Sequence, residues 1–167
     1  MANLQQVRAI NNPQRAYMWE IQIRALSTGA LQNLDAYAKT VSIPESAVEQ
    51  MIINFKGGRS HHAGRDTSAH TATITFWDDE RKTILNFFQN WMDNLIMNPL
   101  TGGGVTRELY SASISIRLKS ADDSSVTSEI VLGHAFPTNI GEIALSYDTS
   151  EAVEIPITFS YDEKILL

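Results

Sequence analysis

The fold of this chain is decided by one stretch, residues 71–99, which reads TATITFWDDERKTILNFFQNWMDNLIMNP. Apolar residues alternate up to Trp77 and then recur about every 3.6 residues, so a strand is predicted to pass into an amphipathic helix. We expect Asp78 or Asp79 to cap this helix, because a short carboxylate accepts hydrogen bonds from the free N–H groups of a first turn. Pro99 lacks a backbone donor and is expected to end it.

The predicted helix has a wide apolar face. The central stripe and its flanks are Ile84, Phe88, Trp91 and Leu95, with Leu85, Phe87, Met92 and Ile96 beside them. Such a face needs a large, flat partner, and most of the remaining apolar pattern has the period of two that is typical of strands. The sequence therefore predicts a mainly β protein, an antiparallel β-sandwich or barrel with one flanking α-helix.

The other predicted strands follow from this alternation. They are residues 17–25, 36–43, 48–55, 110–118, 126–135 and 153–161. In the third of them several apolar residues compete with Ile52 for the core, which predicts a bulge. Residues 136–141 are expected to be a connection, and Pro156 predicts an edge or bulged position for the last strand. Open strand edges leave backbone groups unpaired, and pairing between copies would satisfy them.

Composition limits the class of protein. The 167 residues are predicted to form one domain, 1–167, large enough to bury its own core. With 43% hydrophobic residues and no apolar run near the roughly 20 residues of a membrane span, no membrane insertion is expected. Cysteine is absent, which excludes disulfides and thiol chemistry. The net charge of -6 argues against a general nucleic-acid binder, and the start of the chain lacks the pattern of a secretory signal, so folding in a cytoplasm is expected.

Two segments are predicted to be arms. Residues 1–16 are polar and are expected to form an N-terminal arm or short helix. Residues 57–66 are bounded by glycine, basic, and without large apolar residues, so we expect them to protrude. The candidate contact residues there are Gly57, Gly58, Arg59, His61, His62, Gly64, Arg65 and Asp66.

Sequence motifs for catalysis, metal binding or phosphate binding are weak in this chain. His61, His62 and His70, with Asp66, lack the spacing of a metal site. A Gly-x-Ser-x-Gly elbow is absent, and the glycines at 102–104 lack the Lys-Ser or Lys-Thr of a phosphate-binding loop. The sequence therefore predicts no enzyme, no cofactor and no metal.

Residues 136–148, FPTNIGEIALSYD, resemble a segment of the tail tube proteins of contractile-tailed bacteriophages, in which Pro-Thr-Asn-Val/Ile-Gly-Glu precedes an apolar alternation and a final strand. The resemblance covers most of the chain. The strand, acidic turn and helix at 73–91, the preceding Ala63-Gly64-Arg65, and the strand end at 41–44 follow in the family's order.

The resemblance implies a subunit of homo-hexameric rings that stack into a helical tube inside a contractile sheath, within a virion assembled in the bacterial cytoplasm. The expected partners are the sheath protein, a baseplate tube initiator, a tail terminator and a tape measure protein in the lumen. Double-stranded DNA would pass through without specific binding, and residues 57–66 would contact the neighbouring subunit or ring. An acidic or small-polar wall would not retain DNA, and the candidate lumen-lining residues are Glu20, Ser111, Ser113, Ser115, Glu129 and Glu154.

Other functions stay open at this point. The same fold serves phage-tail-like bacteriocins, contractile injection systems and type VI secretion machines, and a baseplate tube initiator or a ring that carries effector proteins would have a similar sequence. A soluble enzyme would instead need a concave pocket with convergent titratable groups.

Overall fold

The computed structural model describes residues 13–24, 29, 31 and 33–167, so most of the predicted N-terminal arm, and Ala25 at the end of the first predicted strand, lie outside the described residues. The strands are β1 (Trp19–Arg24), β2 (Ala38–Val41), β3 (Val48–Phe55), β4 (Gly58–Asp66), β5 (Thr71–Trp77), β6 (Ala112–Lys119), β7 (Val126–Ile140), β8 (Glu154–Ser160) and β9 (Glu163–Leu166). The helices are α1 (Leu34–Tyr37), α2 (Thr83–Asn90) and α3 (Arg107–Tyr110), and α2 continues as a π-helix over Trp91–Ile96.

Seven strands form one antiparallel sheet in the order β1-β6-β7-β8-β5-β2, with β9 also paired to β7. Strand β7 is 15 residues long and is shared, because its first part pairs with β6 and β9 and its end pairs with β8. We call β1, β6, β7 and β9 the first half-sheet, and β8, β5 and β2 the second half-sheet. Buried side chains of both halves belong to one core cluster, so the sheet closes over itself. The predicted β-sandwich architecture is confirmed.

The core follows the alternation seen in the sequence. On β8, Ile155, Ile157 and Phe159 are fully buried, and on β5 Ile74 and Phe76 lie in register with the first two. The corresponding rows of the first half-sheet are Ile21, Ile116 and Ile130, and Ile23, Ile114 and Leu132. Side chains that alternate along each strand thus meet in one interior, which is what a period of two produces.

The helix packs on the second half-sheet. The ring of Phe88 lies 5.3 Å from that of Phe76 and 5.7 Å from that of Phe159, centroid to centroid, and Ile84, Trp91 and Leu95 are buried beside it. The predicted stripe is therefore confirmed. Stacked and edge-to-face rings at these distances add to the stabilisation from area burial.

Both predicted capping residues are used. Asp79 Oδ1 accepts from the N–H of Thr83 at 2.9 Å, and Asp78 Oδ1 accepts from the N–H of Ile84 at 3.0 Å. The helix nevertheless begins at Thr83, later than predicted, because Lys82 has a left-handed conformation with φ 55° and its N–H closes a turn on Asp79. The carboxylates of Asp78 and Asp79 lie on the other side of this turn from the helix and accept hydrogen bonds from the N–H groups of its first turn.

Three predictions about the strands were wrong. Residues 136–140 continue β7 instead of forming a connection, and Tyr110 belongs to a helical turn before β6. Strand β8 is interior, between β5 and β7, despite Pro156. The carbonyl of Pro156 accepts from the N–H of Gly141 at 2.7 Å, just beyond Ile140, where the pairing of β7 with β8 ends. The N–H that Pro156 lacks would face the same position, because the N and C=O of one residue point toward the same neighbouring strand. The residue pairs between β7 and β8 therefore lose no hydrogen bond.

Strands β3 and β4 form a separate two-stranded hairpin, which we call the arm (residues 48–66). Residues 48–55 were predicted to contribute to the core, and that prediction was wrong. All eight residues of β3 are exposed, and the core cluster contains none of the arm. The bulge predicted for this strand corresponds to a shift in the pairing register between Val48 and Gln50.

Candidate assembly surfaces

The arm presents apolar side chains to solvent. Met51, Ile53 and Phe55 lie on one face of β3 and have exposed fractions of 49%, 47% and 60%. Their partners across the hairpin are the small or polar residues His62, Ser60 and Gly58, which cannot cover them. An exposed row of large apolar residues on a strand with free edges marks an interaction surface.

The predicted contact residues all lie in this arm. Gly57 occupies the turn with φ 95°, a backbone conformation that favours glycine, and the others form β4: Gly58, Arg59, His61, His62, Gly64, Arg65 and Asp66. Arg65 pairs with Glu49 at 3.1 Å, and Asp66 accepts from Ser68 Oγ at 2.6 Å. That β3 also belongs to the arm was not predicted from the sequence. The sequence does contain a signal for this hairpin. Met51, Ile53 and Phe55 alternate up to the turn at Gly57-Gly58, and the strand after the turn has no large apolar residue that could pair with them.

The outer face of the first half-sheet carries a charge ladder. Arg117 on β6 donates to Glu20 on β1 at 3.1 Å and to Glu129 on β7 at 3.2 Å. Lys119 pairs with Glu20 at 3.1 Å and with Asp123 at 3.0 Å. Both cations are therefore held between carboxylates, and side chains at the centre of the ladder are about one-fifth exposed.

These contacts change the protonation equilibria. For Glu20, burial alone would raise the pKa, but hydrogen bonds from Lys119 and Arg117 outweigh it and the pKa lies below the ordinary value. The pKa of Glu129 is lowered by hydrogen bonds from Arg117 and Ser115. Hydrogen bonds to Glu20 and Glu129 raise the pKa of Arg117. Ionised carboxylates on this face are thus stabilised by folding.

The ladder predicts a loss of stability in acid. A carboxyl whose pKa is lower in the folded state contributes stability above its unfolded pKa, and this is lost as pH falls through the folded value. The double variant Glu20→Gln with Glu129→Gln is expected to be about 1–3 kcal/mol less stable than wild type at pH 7, a difference that narrows below roughly pH 4. Thermal unfolding measured from pH 7 to pH 3 checks this. The control Glu151→Gln changes an exposed carboxylate outside the ladder and should leave the dependence of stability on pH as in wild type. The prediction would be contradicted if the double variant lost as much stability as wild type between pH 7 and pH 3.

The candidate lumen-lining residues lie on different surfaces. Glu20, Ser113, Ser115 and Glu129 belong to the outer face of the first half-sheet, whereas Glu154 lies on β8 and pairs with Lys39. Ser111 and Ser115 are 6% and 1% exposed within the chain, so these two candidates present little surface of their own to a channel. Ser115 lies between Gln22 and Val131 in register, and these longer side chains flank it.

Within the described residues, no group of three His, Cys, Asp or Glu side chains is placed to hold a metal ion. His61 and His62 point to opposite faces of β4, and His70 lies near Asp66 with 3.5 Å between Nε2 and Oδ2. In the described part of the chain, no helix has the length and apolar character needed to cross a bilayer. A groove of about 610 Å³ is lined mainly by residues of the segment between β7 and β8.

Open strand edges accompany the arm. Strand β9 pairs only with β7, and β1 pairs only with β6 among the described strands. On the outer edge of β1, the N–H of Ile21 donates to Asp35 Oδ1 at 2.9 Å, so this edge is partly closed from within the chain. The edge of β9 has no such side-chain cover at Leu166, which is 71% exposed.

The described chain thus combines an antiparallel β fold and one packed helix with an exposed apolar arm and open strand edges, features that favour association with other chains. The chain belongs to the phage tail tube protein family, because the sequence model of that family matches residues 6–165. The tail tube protein gp19 of Enterobacteria phage T4 is 26% identical over 151 residues, which cover 89% of this chain and 88% of gp19. The gp19 protein of phage T6 has the same identity and coverage.

Solved structures show the same fold. The sheath/tube terminator of an extracellular contractile injection system, PVC, matches with a TM-score of 0.71 at 15% identity and covers 95% of this chain and 99% of its own. A chain of the PVC sheath-tube complex in the extended state has a TM-score of 0.69 at 15% identity, with 100% and 99% covered. The predicted family resemblance is confirmed.

Proposed function

We propose that this protein is the structural tube subunit of a contractile phage tail, and that its copies close into hexameric rings that stack around a channel for double-stranded DNA. The match of the tail tube family over residues 6–165 carries the proposal. The exposed arm supports it, since Met51, Ile53 and Phe55 have no role in the core of their own chain. The protein would act without chemical turnover, as a passive conduit.

The partners follow from this role. The PVC structures that share the fold contain sheath and tube in one complex, and a terminator. We propose a contractile sheath around the tube, an initiator at the baseplate, a terminator at the far end, and a tape measure protein in the lumen before DNA enters. Assembly would take place in the bacterial cytoplasm and the product would reside in the virion.

We also propose that the outer face of the first half-sheet forms the channel wall. Duplex DNA carries one charge per roughly 1.7 Å, so free cations on the wall would bind phosphates and retard transport. On this face Arg117 and Lys119 are each bonded to carboxylates. Arg24, at the end of β1, donates to the neutral Oε1 of Gln22 at 2.8 Å and keeps its positive charge. A cryo-EM map of the assembled tube in which Glu154 and the second half-sheet line the channel would contradict this assignment.

Electron microscopy of the purified protein tests the proposed function. Negatively stained samples at increasing concentration are expected to contain annuli and stacked tubes, and sedimentation should show species far larger than the 18.6 kDa chain. A protein that remains monomeric at high concentration, with or without an initiator complex from a related tail, would overturn the proposal.

A second candidate is the tube of a contractile injection system that delivers proteins. Its support is the fold shared with the PVC tube complex, whereas the 26% identity to gp19 over 89% of the chain supports the phage assignment. The contents of isolated particles distinguish the two, because DNA released from a packaged head is expected only for a phage tail.

A further inference from the structure

The tip of the arm carries two cations. Lys56 precedes the turn and Arg59 follows it, and neither forms an ion pair among the described residues. Nearer the body, Arg65 is paired with Glu49, and Asp66 with Ser68. The tip therefore presents uncompensated positive charge directly beside the exposed ring of Phe55.

The segment between β7 and β8, residues 141–153, has the opposite character. It contains no helix or strand and carries Glu142, Asp148 and Glu151, all exposed and without an ion pair among the described residues. Leu145 is 78% exposed and Tyr147 is fully exposed. None of these five residues belongs to the core cluster.

A groove of about 610 Å³ lies along this segment. Thr75 and Pro156 line it from β5 and β8, while Glu142, Leu145 and Glu151 line it from the segment itself. The groove thus combines acidic groups with an apolar side chain on the outside of the second half-sheet. That combination matches the arm tip, where cations stand beside aromatic and aliphatic side chains.

We infer that the arm tip of one copy docks into the groove of residues 141–153 of a second copy. In this contact Ile53 and Phe55 bury their apolar surface against Leu145 and Tyr147, and Lys56 and Arg59 meet the acidic groups of the segment. The inference rests on the proposed function, because it assumes that copies of this chain assemble. It adds the surface that receives the arm, and it requires that assembly be sensitive to salt, since exposed ion pairs are screened.

Charge reversal on each side tests the inference. The variant Lys56→Glu with Arg59→Glu places like charges at the contact, and should lower the polymerised fraction at low salt by on the order of tenfold or more. The variant Glu142→Lys with Glu151→Lys should have the same effect. A chain that carries all four changes restores opposite charges and is expected to assemble again. The measurement is the fraction of protein that pellets as tubes, with thermal unfolding as a check that each variant is folded.

Arg81→Glu with Lys82→Glu is the matched control, because these adjacent cations are also exposed and lie on the turn before α2. It should assemble like wild type. If wild type forms tubes and the arm reversal also does, the inferred contact is wrong while the proposed function stands. If both single-side reversals block assembly and the four-change chain does not recover, the contact is again wrong. If wild type never assembles, the proposed function itself fails.

Discussion

Trp91→Ala is expected to destabilise the monomer by about 3–5 kcal/mol, the range for deleting a large buried aromatic side chain. Trp91 is 1% exposed, stacks on Phe88 with ring centroids 6.1 Å apart, and touches the ring of Phe159 at 6.3 Å. Its Nε1 also donates to the carbonyl of Tyr110 at 2.7 Å, so the substitution leaves that acceptor without its partner. A domain of this kind has a total stability of only about 5–15 kcal/mol.

Chemical denaturation of wild type and variant measures this effect, and a decrease in the melting temperature of roughly 10 °C should accompany it. Trp77→Ala is the matched control. Trp77 lies at the end of β5 with 47% of its side chain exposed, so its loss is expected to cost only about 1–2 kcal/mol. Equal losses in the two variants would show that the helix does not depend on its contact with the second half-sheet.

Removing the arm is expected to leave the fold intact and abolish tube formation. Residues 49–65 can be replaced by Asn-Gly, because Val48 and Asp66 are paired and the N–H of Thr67 donates to the carbonyl of Ala47 at 2.9 Å. The two chain ends are thus already in hairpin geometry, which a two-residue Asn-Gly turn can close. Asp66 is retained, so its hydrogen bonds to Ser68 are kept.

The reason for a small effect on stability is that no buried core residue lies in the excised segment. Circular dichroism and thermal unfolding should match wild type, while electron microscopy should show no stacked tubes at any concentration that assembles the full chain. A full-length variant with Arg107→Ala is a suitable control, since it removes only the half-exposed pair with Asp162, which lies outside the arm and contributes little. Normal tubes from the excised protein would show that the arm is dispensable for assembly.

Much of the fold could be predicted from sequence because its information is local. Ile155, Ile157 and Phe159 are buried as their alternation indicates, and the helical stripe through Phe88 and Trp91 packs on the sheet. Both rest on periodicity, which depends on neighbours a few residues away. The caps at Asp78 and Asp79 are local as well, although the exact start of the helix depended on the conformation of Lys82.

The candidate surfaces were predicted less well because exposure is a property of the whole molecule. Met51, Ile53 and Phe55 are residue types typical of a core strand, and they are exposed because no described element packs against the arm. Ser115 is a small polar residue on the polar side of its strand, which predicts an exposed side chain. It is buried because it lies between longer side chains on the two adjacent strands. The bonds that hold Arg117 between Glu20 and Glu129 join residues up to 97 positions apart and have no local signature.

By itself, then, the amino-acid sequence determined the class of fold, the dominant helix and the family, since hydrophobic periodicity and short motifs are encoded in nearby residues. Only the tertiary structure decided which strands lie inside, that Pro156 is accommodated within the sheet, and which apolar and charged groups remain exposed. The physical reason is that strand pairing brings distant residues into register, and burial follows from that pairing and not from residue type alone.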